Sequence, residues 1–356
     1  MTVQSRPRFF VALVCLLAVS IPAQAASSAS FEDAFDSVFQ ARKADAPRVA
    51  VVNSVGNSNI VPLSAYSTTR TVYSSPFEAT IASLADGSQG RIGIAAIDLN
   101  TGRSVAVLGD QPFPMASTSK VAIVATYLSL VDAGRLRLDQ SFALRLPAPS
   151  KKFDGSEAPV REGASLPAYE LIEAAITHSD NHATDALLAA VGGPSAVTRW
   201  VQQSTGITEF RLDRTIATLV RDDGAVNPAM TIDRRDSVTP LAMVRLLSGL
   251  YRGQWLSPAS RDVLLGAMSR TVTGKHRIRA LLPEDVQVAH KTGTLSNTSS
   301  DIGFIRSPDG HDLAVAIYVT GQGGKASRDA RIATLAKAIY EGYLTEEPSQ
   351  RRAAFR

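Results

Sequence analysis

The chain is organised around residues 113–125, which read Phe113-Pro114-Met115-Ala116-Ser117-Thr118-Ser119-Lys120-Val121-Ala122-Ile123-Val124-Ala125. Ser117 and Lys120 lie three positions apart, and an apolar run follows them. Pro114 favours an extended residue before it, and the hydroxyls that follow suit the N-cap of the helix that the apolar run predicts. We therefore expect a helix to begin at or next to Ser117.

On such a helix Ser117 and Lys120 share one face, so the amine lies within reach of the hydroxyl. A serine is a weak nucleophile until a neighbouring base takes its proton, and a helix N-terminus favours developing negative charge. Lys120 can be that base where burial lowers its pKa. On spacing alone, however, this pattern is more often an N-cap followed by a solvated lysine, so other motifs have to decide.

Composition narrows the class of protein. The 356 residues are 45% hydrophobic and 20% charged, which is typical of one large or two modest globular domains. The net charge is +4 and the pI about 9.2, but Lys and Arg are scattered and not clustered with aromatic residues. We therefore expect no nucleic-acid partner. The five histidines show no metal-ligand spacing with carboxylates, so we expect no metal and no cofactor.

The first 25 residues have the pattern of a secretory signal peptide. Arg6 and Arg8 precede the apolar stretch Phe9–Ile21, and Ala23-Gln24-Ala25 is a small-residue cleavage site. This predicts a secreted protein, in the periplasm, without stable membrane insertion after cleavage; the alternative is an uncleaved anchor. The single cysteine lies inside the apolar stretch, so the mature chain would contain no disulfide.

Three segments follow the signal peptide. Residues 26–74 form a Ser- and Ala-rich N-terminal extension, in which Phe31–Phe39 carries aromatic residues at helical spacing. Compact folding is expected over residues 75–343, as one catalytic domain. Residues 344–356 read as a frayed, charged tail.

The order of predicted elements indicates the fold class. Strand patterns occupy 92–99 and 104–108 near the start of the domain and 286–290, 302–306 and 313–319 near its end. The residues between them, 121–265, have mostly helical patterns. This order predicts an α+β fold, with one antiparallel sheet formed by both chain ends and an inserted all-helical subdomain.

Two further motifs give the Ser117 stretch its meaning. Ser179-Asp180-Asn181 follows a helical run, and Lys291-Thr292-Gly293-Thr294 ends a predicted strand. Ser-x-x-Lys, Ser-Asp-Asn and Lys-Thr-Gly in this order are the signature set of penicillin-recognising serine enzymes. On these motifs the chain resembles the class A β-lactamases, over roughly residues 75–343.

The resemblance implies a role for each motif residue. Ser117 would attack the carbonyl carbon of a β-lactam or a D-alanyl peptide, and Lys120 is a candidate proton acceptor, although the acylation base is disputed in the family. Ser179 would relay a proton to the departing nitrogen, with Lys291 supplying positive charge beside it. Asn181 would hold the amide side chain of the substrate.

Other residues would bind the substrate. The backbone N–H groups of Ser117 and Thr294 would form an oxyanion hole. The Thr292-Gly293-Thr294 segment would line the substrate, its hydroxyls meeting the substrate carboxylate. An arginine completes that contact in relatives; Arg277 is the candidate here, and the alternative is that Arg277 is a solvated surface residue.

One segment departs from the family pattern. In class A β-lactamases, Arg-Leu-Asp-Arg-x is followed by Glu-Pro-Glu-Leu-Asn, whose first Glu and Asn position the water that hydrolyses the acyl-enzyme. Here Ile216 and Val220 occupy those two positions. Neither side chain can take a proton or bind water. The following loop is long, so Asp222 or Asp223 is an alternative source of the carboxylate.

These observations lead to one hypothesis with alternatives. We expect a secreted serine hydrolase that forms an acyl-enzyme on Ser117 with β-lactams or D-alanyl-D-alanine peptides, with slow β-lactam deacylation, as in class A-like D-alanyl-D-alanine peptidases. The alternatives are a true β-lactamase with a non-standard deacylation base, an esterase, and a non-catalytic sensor of β-lactams or muropeptides. The expected partner is a small-molecule β-lactam or a peptidoglycan stem peptide, and we expect a monomer.

Overall fold

The structure is a computed structural model that describes residues 59–63 and 75–354. The predicted signal peptide and the Phe31–Phe39 segment lie outside the described residues. Within the described ranges, no helix combines the length and the apolar character needed to span a bilayer.

The described chain contains short and long strands and helices of both the α and 3-10 type. The strands, in chain order, are β1 Ile60–Pro62, β2 Gly90–Asp98, β3 Ser104–Val107, β4 Phe113–Pro114, β5 Ser141–Pro147, β6 Val160–Pro167, β7 Phe210–Arg211, β8 Thr231–Asp233, β9 Ser237–Val238, β10 Gln287–Leu295, β11 Thr298–Arg306 and β12 Asp312–Gly321. The α-helices are α1 Pro76–Leu84, α2 Lys120–Asp132, α3 Ala168–Thr177, α4 Asn181–Ala190, α5 Pro194–Thr205, α6 Ile216–Arg221, α7 Pro240–Arg252, α8 Pro258–Ser269 and α9 Lys325–Ala354. The 3-10 helices are Ala116–Ser119 and Ile278–Leu281.

The main sheet joins the two ends of the domain. Its strand order is β10-β11-β12-β2-β3, and all of its pairings are antiparallel. β12 pairs with β2 in a register that sets Ile317 opposite Ile94. The α+β fold with a sheet built from both chain ends is therefore confirmed.

Both faces of this sheet are covered, and the strand residues alternate between two hydrophobic clusters. Ile94 and Ile317 belong to the cluster that includes residues of α1 and α9. Ala95 and Ala316 belong to the larger cluster that includes α2 and the other inserted helices. A central strand covered on both faces has to be apolar along its length, which accounts for the apolar run predicted as a strand at 92–99.

Helix α2 is the centre of the helical subdomain. Every residue from Lys120 to Leu128 is buried. A helix that is apolar on all sides has to be surrounded by other elements, and here α3, α5 and the sheet-facing α8 lie around it. The run after Ser117 is therefore the core of the subdomain as well as the carrier of the motif.

Two parts of the domain differ from the sequence prediction. β5 and β6 form a separate two-stranded sheet where mostly helix was expected, because Phe142, Leu144 and Leu146 follow the period of a strand over too short a stretch to stand out. The last helix continues to Ala354, through Pro348, where a frayed tail was predicted.

The expectation that folding begins at Ser75 is also wrong. β1, within the predicted N-terminal extension, pairs antiparallel with β8, and Val61 lies opposite Ile232. Val61 is only 6% exposed, whereas the neighbouring Ile60 is 40% exposed. The backbone N–H of Arg234 also donates to the Asn59 carbonyl at 2.8 Å. Part of the extension thus belongs to the folded domain.

Candidate active site

Ser117 lies in a 3-10 turn that leads directly into α2. The prediction of a helix beginning at or next to Ser117 is confirmed. Ala116 has a φ of 50°, in the left-handed region that residues other than glycine rarely adopt, and such strained backbone concentrates at functional sites. Ser117 is half-buried, whereas the residues on either side of it are buried, so its hydroxyl is the accessible one.

The Lys120 amine joins the first two motifs. It donates to the Ser179 carbonyl at 2.7 Å and to Asn181 Oδ1 at 2.8 Å, with a longer contact of 3.2 Å to Ser179 Oγ. Among the hydrogen bonds of the described residues, none joins Lys120 Nζ to Ser117 Oγ. The expected proximity of Lys120 to Ser117 is therefore supported by their separation of one helical turn and not by a hydrogen bond between them.

Burial also changes the proton affinity of this amine. Lys120 is fully buried, and burial lowers its pKa to about 7, although Asp180 and Asp185 act in the opposite direction. A lysine in water keeps its proton up to a pH of about 10.4. Near neutral pH, therefore, a large fraction of Lys120 is neutral and able to accept a proton.

The Ser-Asp-Asn segment forms a tight turn between α3 and α4. Ser179 has a φ of 60°, again in the left-handed region. Asp180 is the N-cap of α4, and its carboxylate accepts from the backbone N–H of Ala183 at 2.7 Å. The cap fixes the start of α4, so that Ser179 and Asn181 both reach Lys120.

The Lys-Thr-Gly motif lies on β10, beside the Ser117 turn. A Cβ at Gly293 would come within 2.7 Å of the Met115 carbonyl and 3.1 Å of the Ala116 methyl group. Only glycine permits strand and turn to approach this closely. The structure thus brings the Lys-Thr-Gly strand against the nucleophile turn.

Lys291, the first residue of that motif, is fully buried. Its Nζ donates to the Thr292 carbonyl at 3.0 Å. Burial holds the pKa of this amine well below its usual range and the charge of Lys120 lowers it further, while Asp301 acts in the opposite direction. Two lysines of the predicted site thus lie close enough to affect each other.

Arg277 is not a solvated surface residue, because it is only 2% exposed. Its Nε donates to Asp329 at 2.8 Å, and its Nη1 donates to the carbonyls of Gly293 and Ser300, both at 2.8 Å. Its Nη2 donates to Thr294 Oγ1 at 2.6 Å. The guanidinium is therefore fixed against the strand whose hydroxyls are predicted to bind the substrate carboxylate.

Ile216 is the first residue of α6, and backbone hydrogen bonds to Asp185 hold this end of the helix in place. The N–H groups of Ile216 and Ala217 donate to the two carboxylate oxygens of Asp185 at 2.7 and 2.8 Å. The Ile216 side chain is 2% exposed and belongs to the hydrophobic core, whereas Val220 is 49% exposed. Burial raises the pKa of Asp185, while these two hydrogen bonds and the charge of Lys120 lower it.

Asp222 and Asp223 each have structural partners. Asp222 accepts from Arg221 Nε at 2.8 Å and from the backbone N–H of Phe153 at 3.0 Å. The hydrogen bond with Arg221 is the main cause that lowers the pKa of Asp222 to about 2. Asp223 accepts from the backbone N–H of Ser296 with both oxygens, at 2.8 and 2.9 Å.

Three buried carboxylates support the site and were not predicted. Asp185 holds α6, and Asp301 contacts His290 behind the Lys-Thr-Gly strand. Asp236 accepts from the backbone N–H groups of Asp213 and Arg214 at 2.8 and 3.0 Å. These hydrogen bonds join the two ends of the long loop that carries α6. Asp185 is the single acid in a helix that is largely apolar after it, and this signal would have marked it. Asp301 follows Thr298, Ser299 and Ser300, so the sequence carries no comparable signal for it.

In the part of the chain that the structure describes, no group of three His, Cys, Asp or Glu side chains is arranged to hold a metal ion. The clustered residues are two serines, two lysines, an asparagine and backbone groups. This set suits acyl transfer through a serine nucleophile.

Comparison with known proteins agrees with this geometry. The profile described as the Beta-lactamase enzyme family matches residues 76–343. Beta-lactamase CTX-M-6 of Salmonella typhimurium is 32% identical to the chain, over 80% of the chain and 94% of the relative. A beta lactamase structure from Xanthomonas campestris pv. campestris is 32% identical, with a TM-score of 0.64, covering 74% of this chain and 96% of that one.

An ancestral class A beta-lactamase (GNCA) is also similar, at 39% identity and a TM-score of 0.63, and covers 74% of this chain and 99% of that one. The similarity spans the sheet, the helical subdomain and all three motifs. These matches show that the chain belongs to the class A β-lactamase family of serine hydrolases, as the order of its motifs predicts.

Proposed function

We propose that the protein forms an acyl-enzyme on Ser117 with β-lactams or D-alanyl-D-alanine peptides and releases β-lactam acyl groups slowly. The family and the clustered motifs support the first half of this proposal. The second half depends on one observation: a buried hydrocarbon side chain, Ile216, stands at the first turn of α6, where relatives place the deacylating glutamate.

Acylation follows from the residues around Ser117. Its Oγ attacks the carbonyl carbon while its proton passes to the neutral amine of Lys120. The carbonyl electrons move to the oxygen, which accepts from the backbone N–H groups of Ser117 and Thr294; one such donor is worth about 3–4 kcal/mol. The C–N bond then breaks, and the nitrogen takes a proton through Ser179.

The substrate is oriented by groups on β10 and α4. Its carboxylate binds the hydroxyls of Thr292 and Thr294, with Arg277 fixed beside the second hydroxyl. Lys291 supplies a further positive charge. Asn181, already held by Lys120, binds the substrate amide.

Deacylation lacks an equivalent base in this proposal. Ile216 and Val220 cannot accept a proton or orient water. A carboxylate with a pKa of about 2, as Asp222 has, is a poor general base at neutral pH, and both oxygens of Asp223 already accept from a backbone amide. General-base catalysis contributes about 10²–10⁴-fold, so its loss in this one step lets the acyl-enzyme accumulate.

The names of the similar proteins favour a second candidate, a true β-lactamase in which another group positions the water. Intact-mass measurement after mixing with benzylpenicillin, combined with steady-state nitrocefin hydrolysis, separates the two. We expect a persistent penicilloyl adduct that is absent in Ser117→Ala, together with low turnover. Rapid turnover without a persistent adduct would instead establish the β-lactamase.

We place this activity outside the cytoplasm, in the periplasm, on the basis of the signal-like pattern in residues 1–25. The proposed unit is a monomer that acts on a small β-lactam or on a peptidoglycan stem peptide. Hydrolysis of a D-alanyl-D-alanine peptide by the wild type and its loss in Ser117→Ala would support the peptidase over a sensor or an esterase.

A further inference from the structure

Behind the Lys-Thr-Gly strand lies a buried His–Asp pair that the proposed reaction does not use. His290 Nδ1 lies 2.9 Å from each carboxylate oxygen of Asp301. His290 is 5% exposed, and Asp301 is completely buried. The two oxygens can accept from Nδ1 in the tautomer that carries its proton there.

The same carboxylate also holds a loop. The backbone N–H of Ile278 donates to Asp301 Oδ2 at 3.2 Å, immediately after Arg277. In the pairing of β10 with β11, Asp301 lies opposite Thr292. Asp301 therefore joins the two strands of the hairpin and the segment that carries Arg277.

That segment, here called the 271–278 loop, follows β10 closely. Thr271 Oγ1 donates to the His290 carbonyl at 2.7 Å, and the hydroxyls of Thr273 and Thr292 are 2.7 Å apart. Gly274 has a φ of +79°, and a Cβ there would come within 3.0 Å of His290 Cε1. Glycine thus lets the loop pass directly over the His–Asp pair.

The charged groups that act on Lys291, the neighbour of His290 in the chain, are mostly cationic. Lys120 and Arg277 lower the pKa of this amine, and Asp301 raises it. The acids next to these cations have separate partners: Asp329 pairs with Arg277 and with Lys325, and Asp180 and Asp185 act on Lys120. Asp301 is the acid that acts on Lys291.

We infer that Asp301 is a positioning residue: with His290, its carboxylate holds the 271–278 loop against β10 and so fixes Lys291 and Arg277 as the cationic pair for an anionic group of the substrate. This inference rests on the proposed function for its substrate. It predicts that ligands bearing a carboxylate depend on Asp301 and that neutral acyl donors do not.

The test compares Asp301→Asn with Asp329→Asn, which removes the partner of Arg277 without touching His290 or Ile278. Three measurements are made on the full chain: hydrogen exchange of residues 271–282, acylation by benzylpenicillin over a range of pH, and acylation by the neutral ester p-nitrophenyl acetate. We expect faster exchange in Asp301→Asn and penicillin acylation slower by about tenfold or more, the value of a hydrogen bond to a charged group. Ester acylation should change by less than about twofold.

The pH profile separates positioning from general damage. Because the negative charge of Asp301 raises the pKa of Lys291, its removal should move the alkaline limb of penicillin acylation to lower pH. Asp329→Asn should slow penicillin acylation while leaving that limb in place. Equal losses with penicillin and the ester, or an unmoved limb in Asp301→Asn, would overturn the inference.

The exchange measurement requires no substrate. If the wild type is not labelled by penicillin but residues 271–282 exchange faster in Asp301→Asn, Asp301 still holds the 271–278 loop against β10, and the proposed function with its substrate carboxylate is wrong. If the wild type is labelled and exchange is unchanged in Asp301→Asn, the inference is wrong and the function stands.

Discussion

Two parts of the candidate site, here called its first and second walls, are built in opposite ways. The wall formed by α2 and the Ser-Asp-Asn turn buries a titratable amine, that of Lys120, and surrounds it with oxygen atoms of Ser179, Asp180 and Asn181. The wall formed by α6 buries a hydrocarbon, Ile216, and uses a buried acid only to hold the backbone. The polar group of the first wall, the amine of Lys120, can accept a proton. The polar group of the second wall, the carboxylate of Asp185, anchors the backbone of α6.

Under the proposed function, the comparison separates the two half-reactions: acylation depends on the first wall and deacylation on the second. Asp185 holds the start of α6 in place whether its first residue is a glutamate or an isoleucine, because both contacts go to backbone N–H groups. The backbone of this wall therefore does not depend on the side chain at position 216.

The largest expected effect comes from the first wall. Lys120→Ala removes the proposed base and should slow acylation of Ser117 by about 10²–10⁴-fold. Stopped-flow measurement with nitrocefin checks this rate. The exposed Lys152→Ala serves as the control and should acylate at the wild-type rate.

The second prediction would make the two walls alike. Ile216→Glu combined with Val220→Asn restores the residue types of the relatives and should speed deacylation by about 10²-fold or more. The decay of the penicilloyl adduct, followed by intact mass, gives this rate. Val220→Asn alone supplies no base and should leave it unchanged; an unchanged double variant would show that Ile216 is not the deacylation position.

The third prediction concerns pH. Since the pKa of Lys120 is lowered to about 7, the acylation rate should rise with pH through about 7 as the amine loses its proton. Below that value it should fall by about tenfold per pH unit, because only the neutral amine accepts a proton. An acylation rate that does not change between about pH 5 and 8, the range in which the amine should titrate, would exclude Lys120 as the base.

The smallest effect should come from the strand of the N-terminal extension, because β1 supports the loop that carries the second wall. Val61→Asp places an unpaired acid at a buried position and should lower the free energy of unfolding by about 1–3 kcal/mol. The exposed Ile60→Asp is the matched control and should change it by less than about 0.5 kcal/mol. Chemical denaturation measures both.

Hydrogen exchange of β8 sharpens this last comparison. We expect faster exchange at Ile232 in Val61→Asp, with acylation of Ser117 preserved, because the first wall makes no contact with β1 in the described pairings. Loss of acylation in Val61→Asp would show that the two walls are coupled.

Local patterns in the sequence were sufficient for much of the site. Ser117 and Lys120 are one turn apart, and Asp180 caps the helix that begins with Asn181, so each motif forms its own geometry within a few residues. The main sheet could be predicted from its apolar runs, because a strand that is apolar along its length has to be covered on both faces. The alternation in β5 was missed because it covers only seven residues within a region of mostly helical patterns.

The carboxylates that support the site follow a different rule. Asp185 meets Ile216 across 31 positions, and Asp301 meets Ile278 across 23. Asn59 meets Arg211 across 152 positions. No periodicity connects residues so far apart, because their contact exists only after helices and strands have packed.

The sequence by itself determined the family and the fold class, and it supplied Ser117 and Ile216 as the two positions on which the proposed function depends. Short motifs carry this information because their chemistry depends on spacing along the chain. The tertiary structure alone decided the lowered pKa of Lys120, the burial of Arg277 and the role of the extension in the fold. These depend on how far each group is removed from water and which distant partner replaces it.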